Sequence, residues 1–227
     1  MKKFLSLALI LTLILSLTAC ADAADKKEKI KFNKKQLKKI ELVEAPMHGS
    51  PMIVLRQDYS DVPIFGEAVA TQDQMINFIN KRNPAPKINC TVKQLVHLYY
   101  LEADREGIRP DIAICQAIKE TGTWGYGGDV IPEQNNYCGL GTTGGGVKGE
   151  FFATPQLGVR AHIQHLLAYS STRRPTMPIV DPRYGIVRQA YGSRTLGNWQ
   201  DLNGRWAVPG RYYGQEILSM FKDILIQ

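Results

Sequence analysis

The feature that most constrains this sequence is a single carboxylate, Glu120, at the end of an apolar segment. The segment begins at Pro110, a residue favoured in the first turn of a helix, and stops at Gly122, a residue typical of helix ends. Between them apolar side chains recur at helical spacing, so we predict a mostly buried helix. The residues after Gly122 are rich in glycine and amide side chains and predict a loop.

The position of Glu120 has an electrostatic consequence. The C-terminal end of a helix carries partial negative charge, which disfavours an ionised carboxylate there. Apolar surroundings act in the same direction, so both effects raise the pKa of Glu120. A raised pKa is what a general acid working near neutral pH requires. The alternative is that Glu120 is an ordinary surface glutamate before a turn.

Several ordered motifs, from about Thr71 to the C-terminus, resemble the glucosaminidase (N-acetylglucosaminidase) family of peptidoglycan hydrolases. In chain order the matching segments are Gln116-Ala117-Ile118-Lys119-Glu120-Thr121-Gly122, Asn135-Asn136-Tyr137-Cys138-Gly139-Leu140, Phe151-Phe152-Ala153-Thr154 and Gly158-Val159-Arg160-Ala161-His162. One departure is Tyr137-Cys138, where the family typically has Leu-Phe. The resemblance implies a mainly α, lysozyme-like single catalytic domain with a small β-hairpin or irregular lobe flanking the cleft, and Glu120 as its acid.

Local helix signals agree with a mainly helical domain. Thr-x-x-Gln patterns beginning at Thr71 and at Thr91 match the capping box and predict two helix starts. Apolar periodicity predicts two further helices, over 157–169 and about 214–226. The glycine triplet 144–146 lacks the GK[ST] pattern of a phosphate loop, so we interpret it as a mobile hairpin tip over the cleft.

The start of the chain predicts export. Two lysines open it, and an apolar run over 4–17 is too short for a comfortable membrane span. Residues 17–20, Leu-Thr-Ala-Cys, resemble a bacterial lipoprotein processing site. We therefore interpret 1–20 as a lipoprotein signal peptide and expect a lipid anchor on Cys20. An ordinary signal peptide with a chance cysteine is the alternative.

The charge distribution separates the following segments. Residues 1–39 hold ten lysines against three acidic side chains and so carry the entire net charge of +7. We predict a Lys-rich linker over 21–45, an N-terminal extension over 46–70 that either wraps the domain or forms a small hairpin, and the catalytic domain over 71–227. Because this last part has no basic excess, we expect no nucleic-acid partner; the basic tail suits anionic lipid or wall polymer.

A glycosidase usually needs a second carboxylate besides its acid. Asp129, Glu133 and Glu150 all lie in the loop region that could face Glu120. The resemblance favours Glu150, which occupies a place similar to that of the family's proposed second acidic residue. A mechanism with Glu120 as the only protein carboxylate stays open, because a substrate N-acetyl group can itself attack the anomeric carbon.

Amide and aromatic residues around this loop suit sugar binding. Aromatic faces stack on pyranose rings, and amides hydrogen-bond to hydroxyl and N-acetyl groups. For Trp124 and Tyr137, burial in the core is the alternative. The candidate substrate-binding residues are Gln116, Trp124, Tyr126, Gln134, Asn135, Asn136 and Tyr137.

The remaining cysteines are Cys90, Cys115 and Cys138, and none is spaced as a metal-binding pair. If Cys115 and Cys138 pack together, as the family fold suggests, they are the favoured disulfide. Three buried free thiols are an equal alternative. His162 and His165 lie one helical turn apart, and we favour packing or hydrogen bonding over metal binding for them.

These observations together favour an exported, lipid-anchored peptidoglycan hydrolase that faces the cell wall. We expect it to cleave the β-1,4 bond between N-acetylglucosamine and N-acetylmuramic acid, as a monomer acting on glycan strands. Neither a metal nor an organic cofactor is expected, because acid-catalysed glycoside cleavage needs none. A lytic transglycosylase of the same fold and a non-catalytic wall-binding lipoprotein are the alternatives.

Overall fold

Six α-helices form the framework of the computed structural model, which describes residues 62–226. In chain order they are α1 (Gln72–Arg82), α2 (Val92–Glu106), α3 (Pro110–Thr121), α4 (Pro155–Ser170), α5 (Tyr184–Tyr191) and α6 (Tyr213–Leu225). Two short 3-10 helices, Pro132–Gln134 and Trp199–Leu202, interrupt the connecting segments. The predicted signal peptide, the linker and residues 46–61 lie outside the described part of the chain.

Two helix starts are confirmed. The Thr71 hydroxyl accepts a hydrogen bond from the Gln74 backbone N–H (3.2 Å), and the Gln74 side chain accepts one from the Thr71 N–H (2.9 Å). Thr91 and Gln94 repeat the arrangement at the start of α2. Such reciprocal capping satisfies backbone donors that a helix leaves unpaired in its first turn. These helices therefore begin at the capping residues that the sequence predicts.

The central element is α3, in which every residue from Pro110 to Ile118 is buried. It packs against α1, α2 and α6, while α4 covers α2 and α5 covers α4. A helix that is buried around its whole circumference needs apolar residues on all faces, as the sequence of α3 has. The core therefore holds α3 on several sides and presents its last turn, with Glu120, at one edge.

Residues 62–70, the described part of the predicted N-terminal extension, lie against the helical domain. Ile64 is fully buried, and its backbone bonds to Gly197 and Arg109. The buried carboxylate of Asp111 accepts hydrogen bonds from the backbone N–H groups of Val69 (2.7 Å) and Ala70 (3.2 Å). This part of the extension is therefore tied to the start of α3.

The segment between α3 and α4 forms the irregular lobe. Its ordered pieces are the 3-10 helix Pro132–Gln134 and an isolated bridge between Gly144 and Val147, at the expected hairpin tip. The mainly α fold with a small irregular lobe is thus confirmed. Across residues 62–226, no helix has both the length and the apolar character needed to cross a bilayer.

Helix α5 is the main departure from the predicted elements, because its segment reads as irregular sequence. The helix is only eight residues long, its start has no side-chain cap, and it buries only Tyr184 and Val187. So short a helix carries neither a capping motif nor a long apolar stripe, and its packing against α4 stabilises it.

Candidate active site

Glu120 lies in the last turn of α3, where Gly122 ends the helix in the left-handed conformation (φ 57°). Its Oε1 accepts a hydrogen bond from the hydroxyl of Tyr213, at the start of α6. The neighbouring Lys119 forms an ion pair with Glu216, one turn further along α6. Packing of α6 on α3 therefore sets the surroundings of the Glu120 carboxylate.

The pKa of Glu120 is raised, and burial is the main cause. Desolvation penalises the charged form of a carboxyl group. Three smaller influences lower the pKa: the Tyr213 hydrogen bond, the charge of Lys119 and the polar Trp206 side chain. Because burial prevails, Glu120 holds its proton to higher pH than a free glutamate does.

A pocket of about 360 Å³ lies beside this carboxyl group. That volume is in the range of small-molecule sites, which are roughly 300–1,000 Å³. The side chain of Tyr212, which lines it, is 68% exposed. The lining residues are Lys119, Glu120, Ala207, Gly210, Arg211, Tyr212, Tyr213 and Glu216. The pocket thus combines an acid of raised pKa with cationic and aromatic side chains.

Most of the predicted substrate-binding side chains are buried, which corrects the expectation that they contact glycan directly. Tyr126 is the exception, being partly buried, although its hydroxyl is enclosed and has no partner within residues 62–226. A fully enclosed side chain cannot present its face to a sugar ring. The residues that are at most 4% exposed are Gln116, Trp124, Gln134, Asn135, Asn136 and Tyr137.

The burial of Trp124 follows from the backbone after α3. Like Gly122, residues Thr123 (φ 56°) and Trp124 (φ 55°) are left-handed, a conformation that non-glycine residues rarely adopt. Hydrogen bonds from the Asn83 side chain to the Thr123 carbonyl (2.8 Å) and from the Lys87 N–H to the Trp124 carbonyl (3.0 Å) hold this turn. The turn directs the indole into the core.

The buried amides organise the loop that follows. Asn136 donates to the Leu140 carbonyl (2.9 Å) and accepts from the Leu140 N–H (3.0 Å). Asn135 donates to the carbonyl of Phe152 (2.8 Å), and Gln134 donates to the carbonyl of Glu150 (3.1 Å). These side chains satisfy backbone groups that would otherwise be buried without partners, so they shape the wall of the site.

The side chain of Glu150 packs beside Gly141, where a Cβ atom would lie 3.1 Å from Glu150 Oε1. The groups that shift the pKa of Glu120 are Tyr213, Lys119 and Trp206, and Glu150 is not among them. The other candidates have different surroundings: Asp129 accepts from the Gly146 N–H (3.0 Å), and Glu133 is exposed. A second carboxylate acting with Glu120 stays a prediction.

Among residues 62–226 the cysteines do not form a disulfide: Cys90, Cys115 and Cys138 are all free thiols. Cys115 belongs to the main core, whereas Cys138 belongs to a smaller apolar cluster with Leu140. The two side chains therefore lie in different parts of the interior. Burial and the nearby charge of Glu120 both raise the pKa of the Cys138 thiol.

The two histidines of α4 have separate partners. His162 is hydrogen-bonded to Tyr99 and Gln116, and His165 to Asp181 (2.8 Å). Within residues 62–226, no group of three or more His, Cys, Asp or Glu side chains could hold a metal ion. Hydrogen bonding, which the sequence favours for this pair, is what the structure shows.

Sequence patterns miss the pocket residues that α6 and the loop before it contribute, namely Arg211, Tyr212, Tyr213 and Glu216. They lie in or directly after an Arg-, Pro- and Gly-rich stretch that has no helical periodicity. The one available signal is the aromatic pair Tyr212-Tyr213 between glycines, since such loops often carry function. Only the packing of α6 on α3 brings these residues to Glu120.

Comparison with known proteins identifies the family of this chain. Residues 96–224 match the glucosaminidase family, described as mannosyl-glycoprotein endo-beta-N-acetylglucosaminidase. A protein of Borreliella burgdorferi, described only as uncharacterized, is 31% identical over 153 residues, which span 67% of this chain and 72% of that protein. No solved structure matches the chain. The chain belongs to the glucosaminidase family, whose members are glycoside hydrolases with a mainly helical, lysozyme-like domain.

Proposed function

We propose that this protein hydrolyses the β-1,4 bond between N-acetylglucosamine and N-acetylmuramic acid in peptidoglycan, with Glu120 as the general acid. The observation that carries the proposal is a partly buried carboxyl group of raised pKa beside a polar pocket, in a domain of the glucosaminidase family. Family membership supports peptidoglycan as the substrate class, and the geometry of Glu120 supports the role of this residue.

In the proposed reaction, protonated Glu120 gives its proton to the glycosidic oxygen as the bond from that oxygen to the anomeric carbon breaks. Positive charge then develops on the sugar ring. Water supplies a hydroxyl group to the anomeric carbon. Its other proton returns to the Glu120 carboxylate or, where Glu150 is the base, goes to Glu150, and Glu120 then regains a proton from solvent. Lys119 and Arg211, which line the pocket, are placed to attract anionic groups of the wall polymer.

The attack on the anomeric carbon has two versions, which differ in the group that assists or performs it. In one version Glu150 is the base or nucleophile, and in the other the substrate's own N-acetyl group attacks. Glu150→Gln separates them through the pH profile of hydrolysis. Loss of the acidic limb assigns Glu150 a direct role, whereas an unchanged rate and profile leave Glu120 as the only protein carboxylate.

The products of wall digestion test the bond and the reaction. Mass spectrometry of digested peptidoglycan should reveal fragments that end in reducing N-acetylglucosamine. Ends of the 1,6-anhydro-muramyl type would instead identify a lytic transglycosylase, which consumes no water. A protein that binds wall and releases no fragments would be a non-catalytic wall-binding lipoprotein. Digestion by Glu120→Gln at the normal rate would refute the assignment of the acid.

We also propose that the protein acts outside the cell, held to the bacterial membrane by a lipid on Cys20. The apolar run over 4–17 and the Leu-Thr-Ala-Cys segment support this location. The Lys-rich segment after Cys20 would lie against anionic lipid or wall polymer. In that arrangement the catalytic domain faces glycan strands of the wall.

A further inference from the structure

A continuous chain of hydrogen bonds leads from Glu120 into the core. The Tyr213 hydroxyl donates to Glu120 Oε1, and Gln116 Nε2 donates to the Tyr213 oxygen (2.9 Å). Gln116 Oε1 lies 3.0 Å from His162 Nε2, and His162 Nδ1 lies 2.9 Å from the Tyr99 hydroxyl. Four helices, α6, α3, α4 and α2, each contribute one or more members.

This hydrogen-bond chain is buried along its length. Tyr213 is 3% exposed, and Gln116, His162 and Tyr99 are fully buried. A buried polar group that loses its hydrogen-bond partner destabilises the protein. Each member therefore limits the orientation of the next. The Trp206 ring, whose centroid lies 5.7 Å from that of His162, packs beside the middle of the chain.

The donor and acceptor atoms of these residues fix the direction of each hydrogen bond in the chain. Gln116 Oε1 can only accept, so His162 Nε2 must carry its proton and donate. Burial lowers the pKa of His162 to about 3, so the ring is neutral and has one N–H. His162 Nδ1 therefore accepts from Tyr99. At the other end, Gln116 donates to the Tyr213 oxygen, which leaves the single O–H of Tyr213 for Glu120.

We propose that Gln116, His162 and Tyr99 are positioning residues that hold the Tyr213 hydroxyl as a donor to Glu120 Oε1, so that the transferable proton of Glu120 is confined to Oε2. The inference rests on the proposed role of Glu120 as general acid. It extends that role by giving the two carboxyl oxygens different functions: Oε1 is bound by Tyr213, and Oε2 protonates the leaving group.

The direction of the expected effect follows from this arrangement. Donation from Tyr213 favours ionised Glu120 and so lowers its pKa against the effect of burial. Hydrogen bonds in a chain strengthen one another, so a break further along weakens the Tyr213 donor. Each break should raise the pKa of Glu120, and the shift should shrink with distance from Tyr213.

Other charged and titratable groups lie around Glu120, and substitutions within the hydrogen-bond chain leave these groups in place. They are Lys119 on α3, Glu216 on α6, Arg211 in the loop before α6 and Cys138 in the loop after α3. None of them belongs to the hydrogen-bond chain. A change in the titration of Glu120 after a substitution within the chain is therefore carried by the chain itself.

The test substitutes the chain members one at a time in the full-length protein. Gln116→Met and His162→Phe remove the donors and keep side-chain bulk, Tyr99→Phe removes the last hydroxyl, and His162→Gln keeps an N–H that can reach Gln116. For each variant, the pKa of Glu120 is read from carboxyl NMR, and kcat and KM from pH profiles. Tyr100→Phe is the control, since its hydroxyl donates to the Ala70 carbonyl, away from the chain.

We expect Gln116→Met to lower kcat on the order of 10-fold with little change in KM, because the acid is present but misoriented. The alkaline limb and the NMR pKa should move upward together, most for Gln116→Met and least for Tyr99→Phe, with His162→Gln closer to wild type than His162→Phe. An unmoved Glu120 pKa in folded Gln116→Met and Tyr99→Phe would overturn the inference. The NMR measurement needs no substrate, so the inference can fail while the proposed hydrolysis stands, and the reverse.

Discussion

The Tyr213 hydroxyl hydrogen-bonds to the Glu120 carboxylate, although 93 residues separate the two in sequence. Tyr213 begins α6 and Glu120 lies in the last turn of α3, so the contact exists only when these helices pack together. It joins Glu120 to a residue that also lines the pocket. The integrity of the site therefore depends on the C-terminal helix as much as on the Glu120 helix.

Glu120→Gln should abolish hydrolysis and leave the fold intact. The amide has the shape of the carboxyl group but cannot donate the catalytic proton, and general acid catalysis contributes roughly 100- to 10,000-fold in rate. Release of wall fragments and a thermal melt followed by circular dichroism check the two parts. Glu67→Gln, at an exposed position, is the matched control and should keep full activity. Near-normal digestion by Glu120→Gln would show that another group is the acid.

Hydrolysis should decline on the alkaline side through an apparent pKa above that of a free glutamate, which is about 4.3. In the proposed reaction Glu120 must be protonated to act, and burial raises its pKa. Tyr213→Phe removes a hydrogen bond that favours the ionised form, so it should move this limb to still higher pH. Rates of wall digestion across pH measure both. A downward movement in Tyr213→Phe would contradict the donor role of the hydroxyl.

The raised pKa of Glu120 also predicts a pH-dependent difference in stability. Because the folded protein binds the Glu120 proton more tightly than the unfolded chain does, this stabilisation is fully present below the unfolded pKa of about 4.3 and is lost as pH rises through the folded pKa. Relative to Glu120→Gln, the wild type should therefore lose free energy of unfolding between acidic and neutral pH. Urea unfolding of both proteins at the two pH values measures the difference, and a constant difference would show that the pKa of Glu120 is not raised.

Gly158→Ala should destabilise the protein by about 1–3 kcal/mol, the range for overpacked sites. A Cβ atom at this position of α4 would collide with the Asn135 carbonyl oxygen, which belongs to the backbone and cannot turn away. Gly185→Ala in α5 is the matched control: its Cβ meets no atom within 4 Å, and alanine favours a helix. Urea unfolding compares the two. Equal effects would mean that α4 and the Asn135 loop are not packed as described.

Cys20→Ala should release the protein from the membrane if the proposed lipid is its anchor. Fractionation of cells that express each form, with and without a salt wash, measures this. Retention that disappears at high salt would assign the attachment to the Lys-rich segment, because screening weakens surface electrostatics. Retention of Cys20→Ala through the salt wash would disprove the lipid anchor.

Some helices could be predicted because their signals are local. The Thr71–Gln74 and Thr91–Gln94 caps each lie within a single turn, and Gly122 ends α3 directly after the residues it stops. Short-range hydrogen bonds and backbone preferences act between residues that are already close in sequence. For the same reason Glu120 could be placed at a helix end, and its raised pKa could be argued from that position.

The burial and the contacts of the side chains around Glu120 could not be predicted from local sequence. Trp124 and Tyr137 suit a sugar-binding surface as well as a core, and packing buries both. Cys115 and Cys138 could equally pair or stay apart, and the fold places them in different apolar clusters. An aromatic residue or a thiol contributes to binding or to packing according to its neighbours, which come from distant parts of the chain.

By itself, the sequence determined the helical class of the domain, its membership in the glucosaminidase family and the position of Glu120 at the end of α3. The tertiary structure alone decided that Tyr213 bonds to Glu120 and that Gln116 links Tyr213 to His162. Capping and periodicity act over a few residues, whereas these contacts join helices far apart in sequence. They form only when burial of the core brings those helices together.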